Sequence, residues 1–465
     1  MKAYPSYKDS GVPWLGDVPE HWGIRRTKYI LKEIDKRSSD GTEELLSVSQ
    51  YTGVTPRKKK DNSDIVDSRA SSLVGYKVVQ HGDLVVNIML AWNGSLGVSP
   101  YSGIVSPAYC IYRFSSEVLP KFYHYLFKTD LYKSTFKTYS TGVVDSRLRL
   151  YSDKLGRIES LIPSLDEQQQ ISRYLDWQTS KINKFIKAKK KLIALLKEQK
   201  QNIINEAVTK GINPDVEMKD IENRWYTQIP VKWNLVTLGR VINSAVDGPH
   251  FSPNYYDSGI PFLSARNVKV DRWSLEDAKY ISSDDYEAFC KRVKPCIGDV
   301  LYTKGGTTGV ARAVDLDFEF QVWVHIAVLK VKKELIHPNY LAICLNSPIC
   351  YEQSQLLTRG ATNQDLGLGR MKTIFLLLPP LSEQQSLVDY INQETALIDK
   401  TIARTEREIE LIQEYRTRLV SDVVTGKVDV RSVEIPDFEP IEADLESQEG
   451  DVFEEDLLTE EEAFD

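Results

Sequence analysis

Apolar positions step by fours and threes through residues 163–209, at Ile171, Leu175, Ile182, Ile186, Ile193, Leu196, Ile203 and Ala207. The same stripe returns 216 positions later without a gap, at Leu387, Ile391, Ile398, Ile402, Ile409, Ile412, Leu419 and Val423. That spacing is the seam of a coiled coil and predicts two long amphipathic helices. About 44 residues at ~1.5 Å each make a rod of roughly 65 Å, too long to bury its stripe against one small domain. The two copies are therefore expected to pack on one another as an antiparallel pair. Both are punctuated alike. Asp166 and Ser382 are the expected N-caps, with Gln169 and Gln385 three residues on, and Pro163 and Pro379 close the preceding strand. Each helix is expected to stop at a Val-Thr pair just ahead of Gly211 or Gly426.

Outside the helices, short β-branched strands alternate with helical stretches such as Tyr123–Phe136 and Asn339–Leu357, an α+β pattern rather than a regular βαβ one. These halves repeat more faintly. Val18-Pro19-Glu20-His21-Trp22 corresponds to Ile229-Pro230-Val231-Lys232-Trp233, and Gly82-Asp83-Leu84 to Gly298-Asp299-Val300. Gly94-Ser95-Leu96-Gly97-Val98 echoes Gly306-Thr307-Thr308-Gly309-Val310, while 30–80 and 240–295 share almost nothing. One frame carrying two different inserts is what two different ligands require. The expected architecture is two similar α+β domains joined by two long helices. Its divisions are 1–160, a helical spacer at 161–212, a second domain at 213–377, a second spacer at 378–428, and a tail at 429–465.

Charge sharpens this picture. The net charge of −7 conceals a segregation, because 432–465 hold 15 acidic residues and no basic one. What precedes them carries 59 basic against 51 acidic residues, a net of +8. A mildly basic body with an acidic, unstructured tail fits a nucleic-acid binder. Five cysteines with no close spacing fit reduced core thiols. With no apolar run of ~20 residues and no apolar signal core after Met1, the protein is expected in the cytoplasm.

Catalytic motifs are missing from the sequence. Lys304-Gly305-Gly306-Thr307-Thr308-Gly309 has the glycines of a phosphate loop but no following Gly-Lys. The carboxylates of Pro214-Asp215-Val216-Glu217-Met218-Lys219 lie too close in sequence to come from two neighbouring strands and hold a metal. Pro379-Pro380 lacks the preceding Asn or Asp and the following aromatic of an amino-methyltransferase, and the six histidines show no ligand spacing. Neither a catalytic residue nor a metal site is expected.

The combination of Pro-x-Leu-x-Glu-Gln-Gln, the long helix, Glu414-Tyr415-Arg416-Thr417-Arg418-Leu419-Val420 and Val424-Thr425-Gly426-Lys427-Val428-Asp429-Val430 resembles the specificity subunit of type I restriction-modification systems. The Gly-Asp strand entries and the opening Val-Pro-x-x-Trp belong to the same resemblance, which covers nearly all of the chain except the acidic tail. Beyond that tail it departs in one further place: the first copy reads Val208-Thr209-Lys210-Gly211 where the second has Thr425-Gly426-Lys427. The resemblance implies two target-recognition domains, each reading one half of a split, asymmetric site in double-stranded DNA, with helices that set the spacing. It implies two methyltransferase subunits as partners, and restriction subunits in the full complex. S-adenosylmethionine, ATP and magnesium would sit on those partners, with no cofactor in this chain. The alternative is a coiled-coil scaffold or adaptor without sequence-specific DNA binding, which needs neither a basic body nor polar loops.

Cations neutralise phosphates, while amides and guanidinium groups read base edges. In the first half the candidates are Arg57, Lys58, Lys59, Asn93, Ser95, Thr141, Ser146 and Arg147. In the second they are Asn254, Tyr256, Arg266, Lys304, Thr307, Thr308, Arg359, Asn363 and Gln364. Gln178 and Lys189, polar positions in the helical seam, and the matched Glu198 and Glu414 are candidates for docking another subunit.

Overall fold

A computed structural model describes residues 2–50, 52–57, 72–360 and 365–439. The apolar stripes fold as two long helices, Leu165–Lys210 and Leu381–Val424. The chain forms two compact units, Met1–Lys191 with Glu406–Asp465, and Leu192–Thr405. Each unit therefore contains one globular domain and half of each long helix.

The helices begin a residue ahead of the expected caps, so Asp166 and Ser382 lie in the first turn instead. Ser164 takes the capping role in the first copy, its Oγ accepting from the Glu167 N–H at 3.3 Å. Pro380 stands there in the second copy and offers only its carbonyl, 2.9 Å from the Glu383 N–H. At the far ends the glycines do stop the helices, with φ of +82° at Gly211 and +80° at Gly426.

In the first unit a four-stranded antiparallel sheet has the order Leu31–Ile34, Cys110–Phe114, Leu84–Val86, Leu96–Val98. Gly23–Arg26 pairs with Glu159–Ile162, so strands near the start and end of the domain lie together. Two helices, Pro120–Phe127 and Asp130–Tyr139, replace the single predicted stretch. They break at Thr129, whose side chain caps the second one by accepting from the Tyr132 N–H. Their fully buried Phe122, Tyr123, Phe127, Tyr132 and Phe136 join Trp22 in an aromatic core with edge-on contacts such as Trp22–Phe122 at 6.4 Å. The helix halves run antiparallel here: Lys189 pairs with Glu408 at 2.7 Å, while Gln170, near the start of the first helix, donates to the Val430 carbonyl just past the end of the second.

The second unit repeats the frame. Its sheet order is Ile242–Asp247, Ile326–Val331, Val300–Thr303, Ala311–Ala313, and Asn234–Thr237 pairs with Phe375–Leu378. The helix pair is Pro338–Leu345 and Pro348–Leu357, broken and capped at Ser347. Trp233, Tyr340, Leu341 and Leu387 share its core with Ile204, Ala207 and Val208 of the first long helix. Lys200 pairs with Asp399 at 2.6 Å, and Gly211 lies beside Glu383, so these halves are antiparallel too.

The inserts differ, as the sequence predicts. The first unit adds the hairpin Leu46–Ser49/Gly53–Pro56 and the pair Lys77–Val79/Gly103–Val105. The second adds a three-stranded sheet of Lys279–Ile281, Ile260–Leu263 and Gln321–Val322 with the helix Ser283–Cys290. Seam residues Ile171, Leu175, Ile182, Ile186 and Ile193 are buried, though Ile204 rather than Ile203 takes the inner position near the C-terminus. Threonines in the seam satisfy themselves: Thr179 and Thr395 donate to the carbonyls four residues back, of Leu175 and Ile391.

The repeated motifs turn out to hold the frame together. Gln168 donates to the Pro163 carbonyl at 2.9 Å and accepts from the Leu119 N–H at 2.7 Å, tying strand end to helix start. Gln384 does the same with Pro379 and with the His337 N–H. Asp83 closes its turn on the Gln80 N–H and takes a cross-strand ion pair from Arg113 at 2.9 Å. Asp299 closes on the Cys296 N–H and pairs with Lys330 at 2.6 Å. In both turns the glycine before the aspartate has φ of +88°.

After the second helix, residues expected in an unstructured tail are held along the first one. Gln170 donates to the carbonyls of Val430 and Val433, Arg173 lies 3.6 Å from Asp437, and Ser180 donates to the Glu439 carbonyl.

Candidate nucleic-acid interface

In the first unit the loop Thr141–Arg149 is closed by paired backbone hydrogen bonds of 2.9 Å between its end residues. It returns to the sheet through the Leu150 N–H on the Ile88 carbonyl. Beside it the turn Ala91–Asn93 packs against the helix Asp130–Tyr139, with the Lys137 ammonium 5.1 Å from the Trp92 ring centre. Thr141 and Arg147 are exposed on the loop, and Ser146 lies in its 3₁₀ turn Asp145–Arg147. Asn93 and Ser95 are linked to each other: the side-chain oxygen of Asn93 accepts from both the Ser95 N–H and its hydroxyl, at 3.1 and 2.8 Å. Arg57 follows the insert hairpin, where the Lys128 ammonium clasps the carbonyls of Ser49 and Gln50. Lys58 and Lys59 lie outside the described residues.

In the second unit three predicted stretches converge. The Thr307 hydroxyl reaches the Ala265 carbonyl at 3.5 Å, placing the turn that carries exposed Arg266 against the glycine turn 304–309. Arg359 and Asp365 close a loop equivalent to Thr141–Arg149, and the Leu366 N–H returns to the Lys304 carbonyl at 2.8 Å. Thr307, Arg359, Asn254 and Tyr256 are exposed, the last two on the insert. Asn363 and Gln364 lie outside the described residues.

Lys304 is turned inward. It is 7% exposed, with its ammonium 2.7 Å from Asp365 and 3.4 Å from Asp247. Asp247, 5% exposed, also accepts from the Arg292 guanidinium and faces His250 at 3.4 Å. Burial alone would raise the Asp247 carboxyl, but the Arg292 hydrogen bond and the charges of Lys304 and Arg292 outweigh it and hold the group below its usual range. Thr308 is likewise buried, its hydroxyl without a hydrogen-bond partner among the described residues.

Sequence reading passed over Lys154 and Arg157, which with Thr138, Ser140 and Gly142 line a shallow cavity of about 410 Å³ beside the first loop. Their only signal was two cations five and eight residues after Arg149, where the loop ends. On the helices, Lys189 is engaged with Glu408, Gln178 lies half-buried near Tyr174, and Glu198 and Glu414 are exposed. Among the described residues no helix is long and apolar enough to cross a membrane.

Residues 230–412 match the family model of the type I restriction modification DNA specificity domain. The chain is 22% identical over 460 residues to a putative type I restriction enzyme MjaX specificity subunit of Methanocaldococcus jannaschii, covering 90% of this chain and 96% of that one. It is also 22% identical over 274 residues to the type I restriction enzyme EcoBI specificity subunit of Escherichia coli, 57% of this chain and 58% of that one. A chain solved in a study of complex assembly and conformational transition of the type I R-M system shares the fold. Its TM-score is 0.62 at 15% identity, over 88% of this chain and 99% of that one. With two α+β units on one frame and long antiparallel helices, this chain is similar to specificity subunits of type I restriction-modification systems in sequence along nearly its whole length, and it shares the fold of a chain solved from such a system.

Proposed function

We propose that this chain is the non-catalytic reader of a type I restriction-modification complex, recognising a bipartite, asymmetric site in double-stranded DNA. Residues 1–160 read one half-site and 213–377 the other. The observation that carries this reading is the duplicated frame with unlike inserts: the fold motifs are kept in both units, while the exposed loop residues change. Exposed Thr141, Arg147, Asn254, Tyr256, Arg266, Thr307 and Arg359 are the contacts to phosphate and base edge, together with Arg57 and the lysines that follow it. Asn93, Ser95 and Lys304 shape the loops instead. The long helices dock two methyltransferase subunits, with exposed Glu198 and Glu414 on the docking faces. S-adenosylmethionine, ATP and magnesium act on those subunits and on the restriction subunits, in the cytoplasm. Exchanging residues 1–160 for those of another specificity subunit tests the reading. One half of the methylated site should change, and a change in both halves would overturn it.

A further inference from the structure

The loop Thr141–Arg149 carries a feature that phosphate binding does not require. Val143 is 99% exposed and Val144 51%, at the tip of a loop fastened from several sides. The Thr141–Arg149 bridge closes its neck, the Arg147 N–H turns back to the Val144 carbonyl at 2.9 Å, and Lys137 holds Asp145 at 2.7 Å. Leu148 and Leu150 bury the returning arm. The two isopropyl groups are therefore presented on a fixed support. Cations lie close by in the same region: Arg147 and Arg149 on the loop itself, and Lys154 and Arg157 lining the cavity together with Thr141 and Gly142, where Arg157 pairs with the exposed Asp153 at 3.7 Å.

An apolar tip within a cationic surround matches one element of a DNA groove. The major-groove floor displays hydrogen-bonding groups and one apolar group, the thymine 5-methyl. The minor groove displays none, and side chains that wedge between base pairs are mostly longer or flatter than valine. Valine is short and stiff at χ1, suited to contact a methyl rather than to part a base step. We propose that Val143 reads a thymine methyl in the first half-site, with the Lys154–Arg157 cavity seating a neighbouring phosphate. The equivalent loop of the second unit reads Arg359-Gly360-Ala361-Thr362, a different pair of residues in the valine positions, as a second reader with a different target needs.

This inference rests on the reading of the chain as a DNA-sequence reader, and the experiment separates the two. The assembled complex of this chain with its methyltransferase subunits is titrated with its own target duplex. Each thymine of the first half-site is replaced in turn by deoxyuridine, which removes only the methyl. One replacement should weaken binding about fourfold, the value of one buried methyl(ene). Val143→Ala should lose a similar factor on the natural site and become indifferent to that replacement, while Val144→Ala keeps the sensitivity. Sequence-specific binding with no methyl-sensitive thymine in that half-site, with no thymine there at all, or with equal sensitivity in Val143→Ala overturns this inference alone. A complex with no sequence preference overturns the underlying reading, and this one with it.

Discussion

Replacing Lys304 by methionine separates two roles that the sequence does not distinguish. A lysine in a glycine-rich turn of a DNA reader is an obvious phosphate contact, and there its loss would cost affinity but little stability. The structure predicts the reverse. Lys304 is 7% exposed between Asp247 and Asp365, so the substitution removes one partner of a buried ion pair. Such removals cost about 3–5 kcal/mol. The lower end applies, because Asp247 keeps Arg292 and the exposed Asp365 is partly screened by solvent. At 2–4 °C per kcal/mol for a unit of this size, ~3 kcal/mol lowers the melting temperature of the second unit by roughly 6–12 °C. Below that temperature the salt dependence of binding to random duplex should be unchanged. Arg266→Ala is the converse control. Its exposed guanidinium contributes little to stability, but each lost phosphate contact reduces the slope of log affinity against log salt by about 0.9. A Lys304→Met variant that melts normally and loses that slope would refute the buried-pair reasoning.

The two helix-ending glycines should respond unequally to alanine. An added methyl at Gly211 meets the Trp233 ring at an ordinary 3.4 Å, leaving only the left-handed backbone cost of about 1–2 kcal/mol. At Gly426 it falls 2.6 Å from Pro19 and 3.0 Å from Trp22, adding about 1–3 kcal/mol of overpacking, so denaturant titration should rank Gly426→Ala clearly the less stable. The Asp247 carboxyl is held below its usual range, so its stabilisation is present above the unfolded value of about pH 4 and is lost as pH falls through the lowered folded value. Asp247→Asn should accordingly lose stability at neutral pH and show a shallower acid transition, measured by denaturant titration across pH. Removing residues 440–465, with 12 carboxylates, should strengthen binding to random duplex at low salt and leave the recognised sequence unchanged. Identical affinities across a salt series would reduce that segment to an aid to solubility.

The long helices were legible because their stripe repeats every seven residues for six turns and more, and a seam of that length has one use. The sheets were legible only as a class, since strands of three to six residues carry little periodicity. Loop chemistry was the least legible. Asn93, Ser95 and Lys304 have the side chains of readers, yet the Asn93 side-chain oxygen is engaged by Ser95 and Lys304 is balanced by two aspartates distant in sequence. A short polar side chain near a glycine serves a turn as readily as a base edge, and only the fold decides which. The Glu-Gln-Gln motif erred the other way. It reads as a capping box, but its middle glutamine is a buried clamp between a strand end and a helix start, a role set by contacts 49 and 47 residues away.

As proposed, this chain chooses the DNA sequence and its two domains choose separate halves. Long-read mapping of methylated bases in the host tests it directly, with the chain present, deleted, and carrying an exchanged 1–160 segment. The expected result is a split motif that disappears on deletion and changes in one half on exchange. A motif that survives deletion, or one that changes in both halves together, would contradict it.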